Sequence, residues 1–270
     1  MAAAVSIKVW GDYACFTRPE LKVERMSYPV MTPSAARGVL DAILFKPEMR
    51  WHVRRITVLQ PAQLALDAAP LPYRLVGVRR NEVQGKIATK TVSAWRADPN
   101  SFEPYLVDSA GRESAGGQNR TQRNTLALRN VAYLIHASPL LTPRATESPR
   151  RPLDQDEPNG PNTVAKYVAM FRRRVDKGQC FHRPYLGCRE FVCDFAAPDG
   201  SEKPVDWTED LGMMLYDIRF GGDSGPDARN TPGFFRAVIK NGILHCDTRD
   251  PGPNGETPIT VLGWPQENSA

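Results

Sequence analysis

Val5, Ile7 and Val9 alternate with Ser6, Lys8 and Trp10, the period-two pattern of a strand with one buried face, and a turn is expected over the GDYACF segment that follows. The period then changes. Thr32 precedes Pro33, and Ala36, Val39, Leu40 and Ile43 recur at helical spacing, so a helix N-capped by Thr32 is predicted, ending before Pro47. Residues 52–59, 73–83 and 125–135 read as strands, the last with apolar residues on both faces. Loops are expected over residues 96–122, rich in Ser, Gly and Asn, and over 137–162, which hold six prolines.

A second helix is predicted after Asn162 as N-cap. Val164, Tyr167, Val168, Phe171 and Val175 form one apolar stripe, and Gly178 closes it. Residues 189–195 are expected to return as a strand. The first 195 residues thus give β-α-β-β(β)-α-β, the plan of a ferredoxin-like or RNA-recognition-motif domain. Beyond them, residues 211–220, 234–240 and 243–247 read as strands, and Asn241-Gly242 is the two-residue turn that favours a hairpin. The expected class is α+β: an RNA-recognition-motif-like domain over 1–195 with inserted loops, and a small antiparallel β domain over 196–270.

Composition narrows the function. The chain has 270 residues, 41 % hydrophobic and 24 % charged, and no apolar run reaches the roughly 18 residues of a membrane span. The start shows no secretory leader, so a cytoplasmic protein without membrane contact is expected. Five cysteines, Cys15, Cys180, Cys188, Cys193 and Cys246, include no CxxC pair, and reduced, idle thiols are expected. Four scattered histidines and no HExxH argue against a resident metal, and no cofactor is predicted.

The charge is unevenly placed. The net value is +5, but residues 194–270 carry −7 and residues 1–193 carry +12. Between Thr163 and Glu190 seven basic residues face only Asp176 and Glu190, with Tyr167, Phe171, Phe181 and Tyr185 interleaved. Such a segment suits a surface that holds phosphates by charge and bases by stacking. By helical spacing Lys166 points about 200° away from Val164, toward solvent with Arg173. It lies in the first turn, where backbone N–H groups favour anions. Arg172, Arg173, Arg183 and Arg189 are the expected nucleic-acid-binding residues. The GGDSGP stretch at 221–226 resembles a serine-protease loop, but no histidine has a matching context, and a turn between strands is expected there. No P-loop is present.

The segment AKYVAMFRRRVDKGQCFHRPYLGCREF (165–191), with WGDYACFTRPE (10–20), MSYPVMTPSAARGVLDAI (26–43), RRNEV (79–83) and TQRNTLALRNVAYLI (121–135), resembles the CRISPR-associated subtype I-C pre-CRISPR-RNA endoribonucleases. The resemblance implies an RNA-recognition-motif-like domain with a glycine-rich loop and a small β domain. The implied activity is metal-independent transesterification within the repeat. The ribose 2′-OH attacks the adjacent phosphorus, a 2′,3′-cyclic phosphate forms, and the protein stays on the 5′ handle in the interference complex. The family uses a tyrosine near the end of the first helix and a lysine–histidine pair at the start of the second. Lys166 matches the lysine, whereas Tyr167 holds the histidine position and Leu44 the tyrosine position.

Lys166, Tyr167 and His182 are therefore the candidate catalytic residues, His182 as the substitute base because imidazole titrates near neutrality; Tyr28 is a weaker candidate. The expected partners are the precursor CRISPR RNA repeat hairpin, other subunits of the interference complex, and target DNA. Two alternatives stand beside cleavage: a non-catalytic scaffold that caps the guide RNA, and a metal-dependent DNA nuclease using carboxylates such as Asp12 or Glu190.

Overall fold

The structure is a computed structural model; it describes residues 4–21, 23–59, 73–83, 89–101, 120–147, 162–220 and 230–264. Its strands are β1 (Val5–Ala14), β2 (Arg25–Met26), β3 (Met49–Val58), β4 (Leu75–Val83), β5 (Arg120–Leu141), β6 (Asp194–Ala196), β7 (Glu209–Arg219), β8 (Thr231–Lys240) and β9 (Ile243–His245). The helices are α1 (Pro33–Ile43), α2 (Thr89–Ala97), α3 (Arg144–Glu147) and α4 (Val164–Asp176). The result is a mixed α/β protein with few helices on an antiparallel sheet.

The strands form one sheet in the order β6-β1-β5-β3-β9-β8-β7, and β2 and β4 pair with the N-terminal part of β5. Every pairing is antiparallel except β2 with β5. Strand β5 organises the rest. Its C-terminal half lies between β1 and β3, while its first nine residues pair with β4 and form an arm. Near the base of the arm Asn130 adopts φ 51°, the left-handed region that asparagine tolerates better than most residues. The C-terminal hairpin joins the same sheet because β9 pairs with β3, and its turn holds Asn241 and Gly242 at φ 50° and 74°, as a type I′ turn requires. Between β6 and β7 the chain crosses back over the sheet, held by Lys8 to Glu202 at 3.8 Å and by the Val205 N–H to the Val58 carbonyl.

The apolar stripes read from the sequence meet in a single core. Val5, Ile7 and Val9 of β1, Ala36, Val39, Leu40 and Ile43 of α1, and Tyr167, Val168, Phe171 and Val175 of α4 are buried together with Met214, Phe235 and Leu244 of the C-terminal strands. Helix α1 starts as predicted: Thr32 is extended, its side chain accepts from the Ala35 N–H, and Pro33 occupies the first turn, where no N–H is missed.

Several expectations are corrected. Strand β1 continues to Ala14 through the stretch expected to turn at Gly11, because its far end still pairs with β5. Strand β5 extends beyond 125–135 at both ends, into segments expected to be loops, since β4 supplies a partner on one side and β3 on the other. Residues 89–97 form a helix that the weak amphipathicity of TKTVSAWRA did not reveal. Residues 189–193 turn rather than extend, leaving only the short β6. The N-cap of α4 is Thr163, whose hydroxyl accepts from the Lys166 N–H, in place of Asn162. The GGDSGP stretch lies outside the described residues.

Two buried titratable groups set the acid stability. Burial alone would raise the Asp247 carboxyl, but hydrogen bonds from His52, Arg54 and the N–H groups of Arg249 and Asp250 outweigh it and hold the group well below the usual carboxylate range. Burial, with Arg55 nearby, lowers His136 to about 4. Depressed values cost stability on acidification in both cases. The His136 contribution is lost as pH falls from about 6.5 toward its folded value. The Asp247 contribution is present above about 3.9 and lost below it. Chemical denaturation at stepped pH should therefore show a fall beginning below pH ~6.5. His136→Gln should shrink that first phase, by on the order of 2 kcal/mol after allowance for its partial exposure, leaving the part due to His245, which burial also lowers. Asp247→Asn should flatten only the more acidic limb.

Candidate functional site

The C-terminal end of α1 is the junction of the molecule. Its last carbonyls have no partner within the helix, and three other elements supply donors. Arg174 of α4 donates from Nη1 to the Ile43 carbonyl at 2.7 Å, the Phe181 N–H donates to that of Ala42 at 2.8 Å, and Trp51 Nε1 of β3 donates to that of Leu44 at 3.0 Å. The cationic guanidinium also complements the negative end of the helix dipole. From this junction the chain Phe45-Lys46-Pro47-Glu48 leads into β3. Thr142 at the end of β5 binds the Pro47 carbonyl through its hydroxyl and the Glu48 carbonyl through its N–H. Asn162, just before α4, donates to the Ala145 carbonyl of α3.

These contacts enclose an open cleft of about 700 Å³, lined by Phe45, Lys46, Arg50 and Arg144 together with Arg37, Asp41 and Thr142. Four cationic side chains thus line it against one carboxylate. Arg37 is committed: it grips the buried Asp217 through Nε and Nη2, both at 2.9 Å, and Asp41 through Nη1 at 3.0 Å. Burial would lower its pKa, yet these two carboxylates reverse the effect and raise it. Asp41 is raised by burial despite Arg37. Arg50 reaches Asp217 only at 3.5 Å and is exposed beyond it. Phe45 is 62 % exposed at the rim.

The glycine-rich loop after α4 starts at Gly178, at φ 62°, and leaves the same junction. Phe181 is 83 % exposed. His182 is exposed too, its ring stacked on Tyr185 at 6.5 Å between centroids and edge-on to Phe181 at 6.0 Å. Arg183 pairs with Asp194, and Arg189 is exposed. The loop is locked to β1 by the Cys15 N–H donating to the Leu186 carbonyl, and by Gly187, at φ 84°, against the Cys15 carbonyl.

The residues singled out by sequence divide into two groups. Lys166 lies in the first turn of α4, four residues after Asn162, which donates to the Ala145 carbonyl; it is not among the residues that line the cleft. His182 lies in the loop beyond the other end of the helix, whose last residue, Asp176, is about 15 Å along the axis from Lys166. Tyr167 is 2 % exposed in the core, and its hydroxyl donates to Asn162 Oδ1 at 2.9 Å. Leu44 is 1 % exposed. Tyr28 is buried, its hydroxyl accepts from the Leu215 N–H, and burial raises its pKa. Arg172 and Arg173 are exposed on α4, Arg172 also donating to the Ala4 carbonyl at 3.3 Å. Glu190 pairs with Arg25 at 2.8 Å. Among the described residues no group of three or more His, Cys, Asp or Glu side chains is arranged to hold a metal ion, and no helix is long and apolar enough to cross a membrane. Sequence reasoning missed Phe45, Arg50 and Arg144, which come together only because Met49 of β3 pairs with Leu141 of β5.

A mixed α/β sheet carrying a cationic cleft with exposed aromatic rings at its rim defines a class of protein suited to a polyanionic partner. The comparisons narrow the class. The model of the CRISPR-associated Cas5d family matches residues 4–247. The chain is 40 % identical over 251 residues to the CRISPR pre-crRNA endoribonuclease Cas5d of Mannheimia succiniciproducens, covering 90 % of this chain and 95 % of that one. It is 43 % identical over 255 residues to the protein of the same name from Thermus thermophilus, covering 90 % of each. A crystal structure of a CRISPR-associated protein superposes with a TM-score of 0.54 at 19 % identity, over 96 % of this chain and 97 % of that one, and shares the fold. The chain belongs to the Cas5d family of CRISPR-associated proteins.

The loop geometry carries a test. A Cβ on Gly187 would stand 2.1 Å from the Cys15 carbonyl oxygen, on backbone that no rotamer change relieves. Gly187→Ala should cost about 1–3 kcal/mol in urea unfolding, and hydrogen exchange at the Cys15 N–H should quicken, since its partner Leu186 must move.

Proposed function

We propose that this protein binds precursor CRISPR RNA and cuts it within the repeat by metal-independent transesterification. In this proposal it then holds the 5′ handle as a subunit of a larger CRISPR complex. The observation that carries this is the cationic cleft lined by Lys46, Arg50 and Arg144 with Phe45 at its rim, in a chain whose Lys166 stands in the first turn of α4. The sheet order β6-β1-β5-β3, with α1 and α4 as crossovers, supports an RNA-recognition-motif-like arrangement of that part of the chain. The names of the two Cas5d relatives support the substrate class.

Attack of the 2′-OH places an additional negative charge on the phosphorane, and an ammonium held beside it is a direct way to stabilise that charge. Lys166 has this role. A strand lying along the cleft would meet Arg144 and Arg50 with its phosphates and Phe45 with a base. Beyond the junction it would meet Phe181 and His182, with Arg183 and Arg189 flanking. General-base catalysis needs a hydrogen bond to the attacking hydroxyl. His182 lies at the far end of α4 from Lys166, so we assign it to strand binding with Phe181 and Tyr185 rather than to proton transfer at the same phosphate. Tyr167, bonded to Asn162 inside the core, is a packing residue in this assignment.

One observation favours a second function, a guide-RNA scaffold without cleavage: both positions where the family resemblance implies a proton-transfer group, Leu44 and Tyr167, are buried. Incubation of end-labelled cognate repeat RNA with pure protein in EDTA separates the two. Cutting that a single 2′-deoxy substitution abolishes supports transesterification. Tight, salt-dependent binding without cutting supports the scaffold. Under the first outcome Lys166→Ala should slow cleavage about 10–100-fold at nearly unchanged affinity. Arg50→Ala combined with Arg144→Ala should weaken binding and leave the rate at saturating protein within about threefold.

A further inference from the structure

Away from the cleft, a second, smaller core cluster joins Cys15 at the end of β1, Ala127 of β5, and Cys188 and Phe191 from the glycine-rich loop. The two cysteines are adjacent across that joint, packed in the same cluster and linked through the Thr17 hydroxyl. The Cys188 thiol donates to the Cys15 carbonyl at 3.5 Å, and the Thr17 hydroxyl touches both sulfurs, at 3.6 and 3.8 Å. Arg25 of β2 directs Nη1 at Cys188 Sγ from 3.4 Å, with Glu190 on its other side. A guanidinium and two hydrogen-bond donors around one sulfur favour its thiolate, and a second thiol in contact is placed to resolve an oxidised partner.

We propose that Cys15 and Cys188 form a thiol pair that peroxides oxidise to a disulfide, covalently tying the glycine-rich loop to β1. Cys188 is the attacking sulfur and Cys15 the resolving one. The Cys188 thiolate displaces hydroxide from hydrogen peroxide and becomes a sulfenic acid. The Cys15 thiol then attacks that sulfur, its proton and the sulfenic hydroxyl leave as water, and the sulfur–sulfur bond forms. The peroxide is the two-electron oxidant, and a dithiol reductant reverses the change.

The environment orders the two steps. The hydrogen-bonding neighbours Cys15 and Thr17 lower Cys188 against the opposing effect of burial, and the Arg25 guanidinium at 3.4 Å adds to the effect. The neighbouring Cys188, with burial, raises Cys15. Cys193 and Cys246 are raised by burial, so Cys188 is the most nucleophilic of these buried thiols at neutral pH. Cys188 keeps a small exposed surface while Cys15 has none, which suits a small oxidant reaching Cys188 first. The reach of the cross-link is short: the Cys15 N–H and the Leu186 carbonyl are already bonded at 3.0 Å, and Gly187 lies against the Cys15 backbone.

The test uses the full chain in its reduced form. After hydrogen peroxide and thiol blocking, peptide mapping should find a 15–188 disulfide. The intact mass should be lower by two hydrogen atoms, and dithiothreitol should restore it. The oxidised protein should melt several degrees higher, since the bond closes a long loop of the unfolded chain. Cys15→Ser should halt at the Cys188 sulfenic acid, trapped by dimedone, and Cys188→Ser should give neither product. Should either variant fold poorly, alkylation of the wild type by iodoacetamide serves instead: Cys188 should react ahead of Cys193 and Cys246, with its rate rising at a lower pH than the ordinary thiol range near ~8.5. Oxidation that leaves Cys15 and Cys188 unlinked, or a Cys188 that alkylates no faster than Cys193, overturns the proposal.

Discussion

The capping of α1 is the constraint on which the rest of the structure depends. A helix ending inside a protein must place its last carbonyls on donors, because each buried carbonyl left bare costs about 1–3 kcal/mol. Here the donors come from α4, from the loop after it and from β3, so satisfying one helix end fixes three elements relative to each other. Trp51 also packs edge-on against Phe171 of α4, 4.8 Å between centroids, and joins the apolar side of the junction to its polar side. The cleft between Phe45 and Arg144 is the outer surface of this joint. The chain that leaves α1 for β3 lines one side of it.

Strand β5 imposes the second constraint. A strand of 22 residues is far longer than the five or six typical of globular sheets, and no single neighbour spans it. Its two halves take different partners, and the left-handed Asn130 lies between the half in the sheet and the half in the arm. Because β3 pairs with the final residues of β5, Thr142 and Arg144 are delivered beside Pro47 and Arg50. The same strand thereby sets the position of the arm at one end and the lining of the cleft at the other.

Sequence made local features legible and long-range ones opaque. The apolar stripes of α1 and α4 were plain because helical spacing is a property of neighbours, and all the stripe residues named are in the core. The Asn241-Gly242 turn was plain because few residues adopt positive φ without strain. Strand ends were less so. Whether residues 137–141 extend or loop depends on β3, which lies far away in sequence, and the prolines nearby pointed the wrong way. Pro139 is tolerated in β5, where it stands opposite Trp51. The cleft was hidden for the same reason, since Arg50 and Arg144 belong to segments with no shared motif. The basic run at 163–190 identified a charged surface, and the helix predicted within it already set Lys166 and His182 on either side.

Binding and cleavage make different demands on this architecture. Attraction between a cationic surface and a phosphate chain acts over several ångströms and tolerates rearrangement of the side chains that provide it. Proton transfer requires heavy atoms within about 3 Å at a defined angle. In this chain Leu44 and Tyr167 are absorbed into the core beside Trp51 and Phe171, and the tyrosine hydroxyl is spent on Asn162, which in turn anchors α3. Apolar packing at these two positions strengthens the joint that shapes the cleft, while Lys166 stays in the first turn of α4, on the face opposite the core stripe. In the proposed function the cationic surface serves RNA recognition, and charge stabilisation by Lys166 is the catalytic resource that is left. A protein so arranged should bind its RNA about as firmly as a relative with the full set of proton-transfer groups and cleave it more slowly, because only the second property depends on the two positions that the core has taken over.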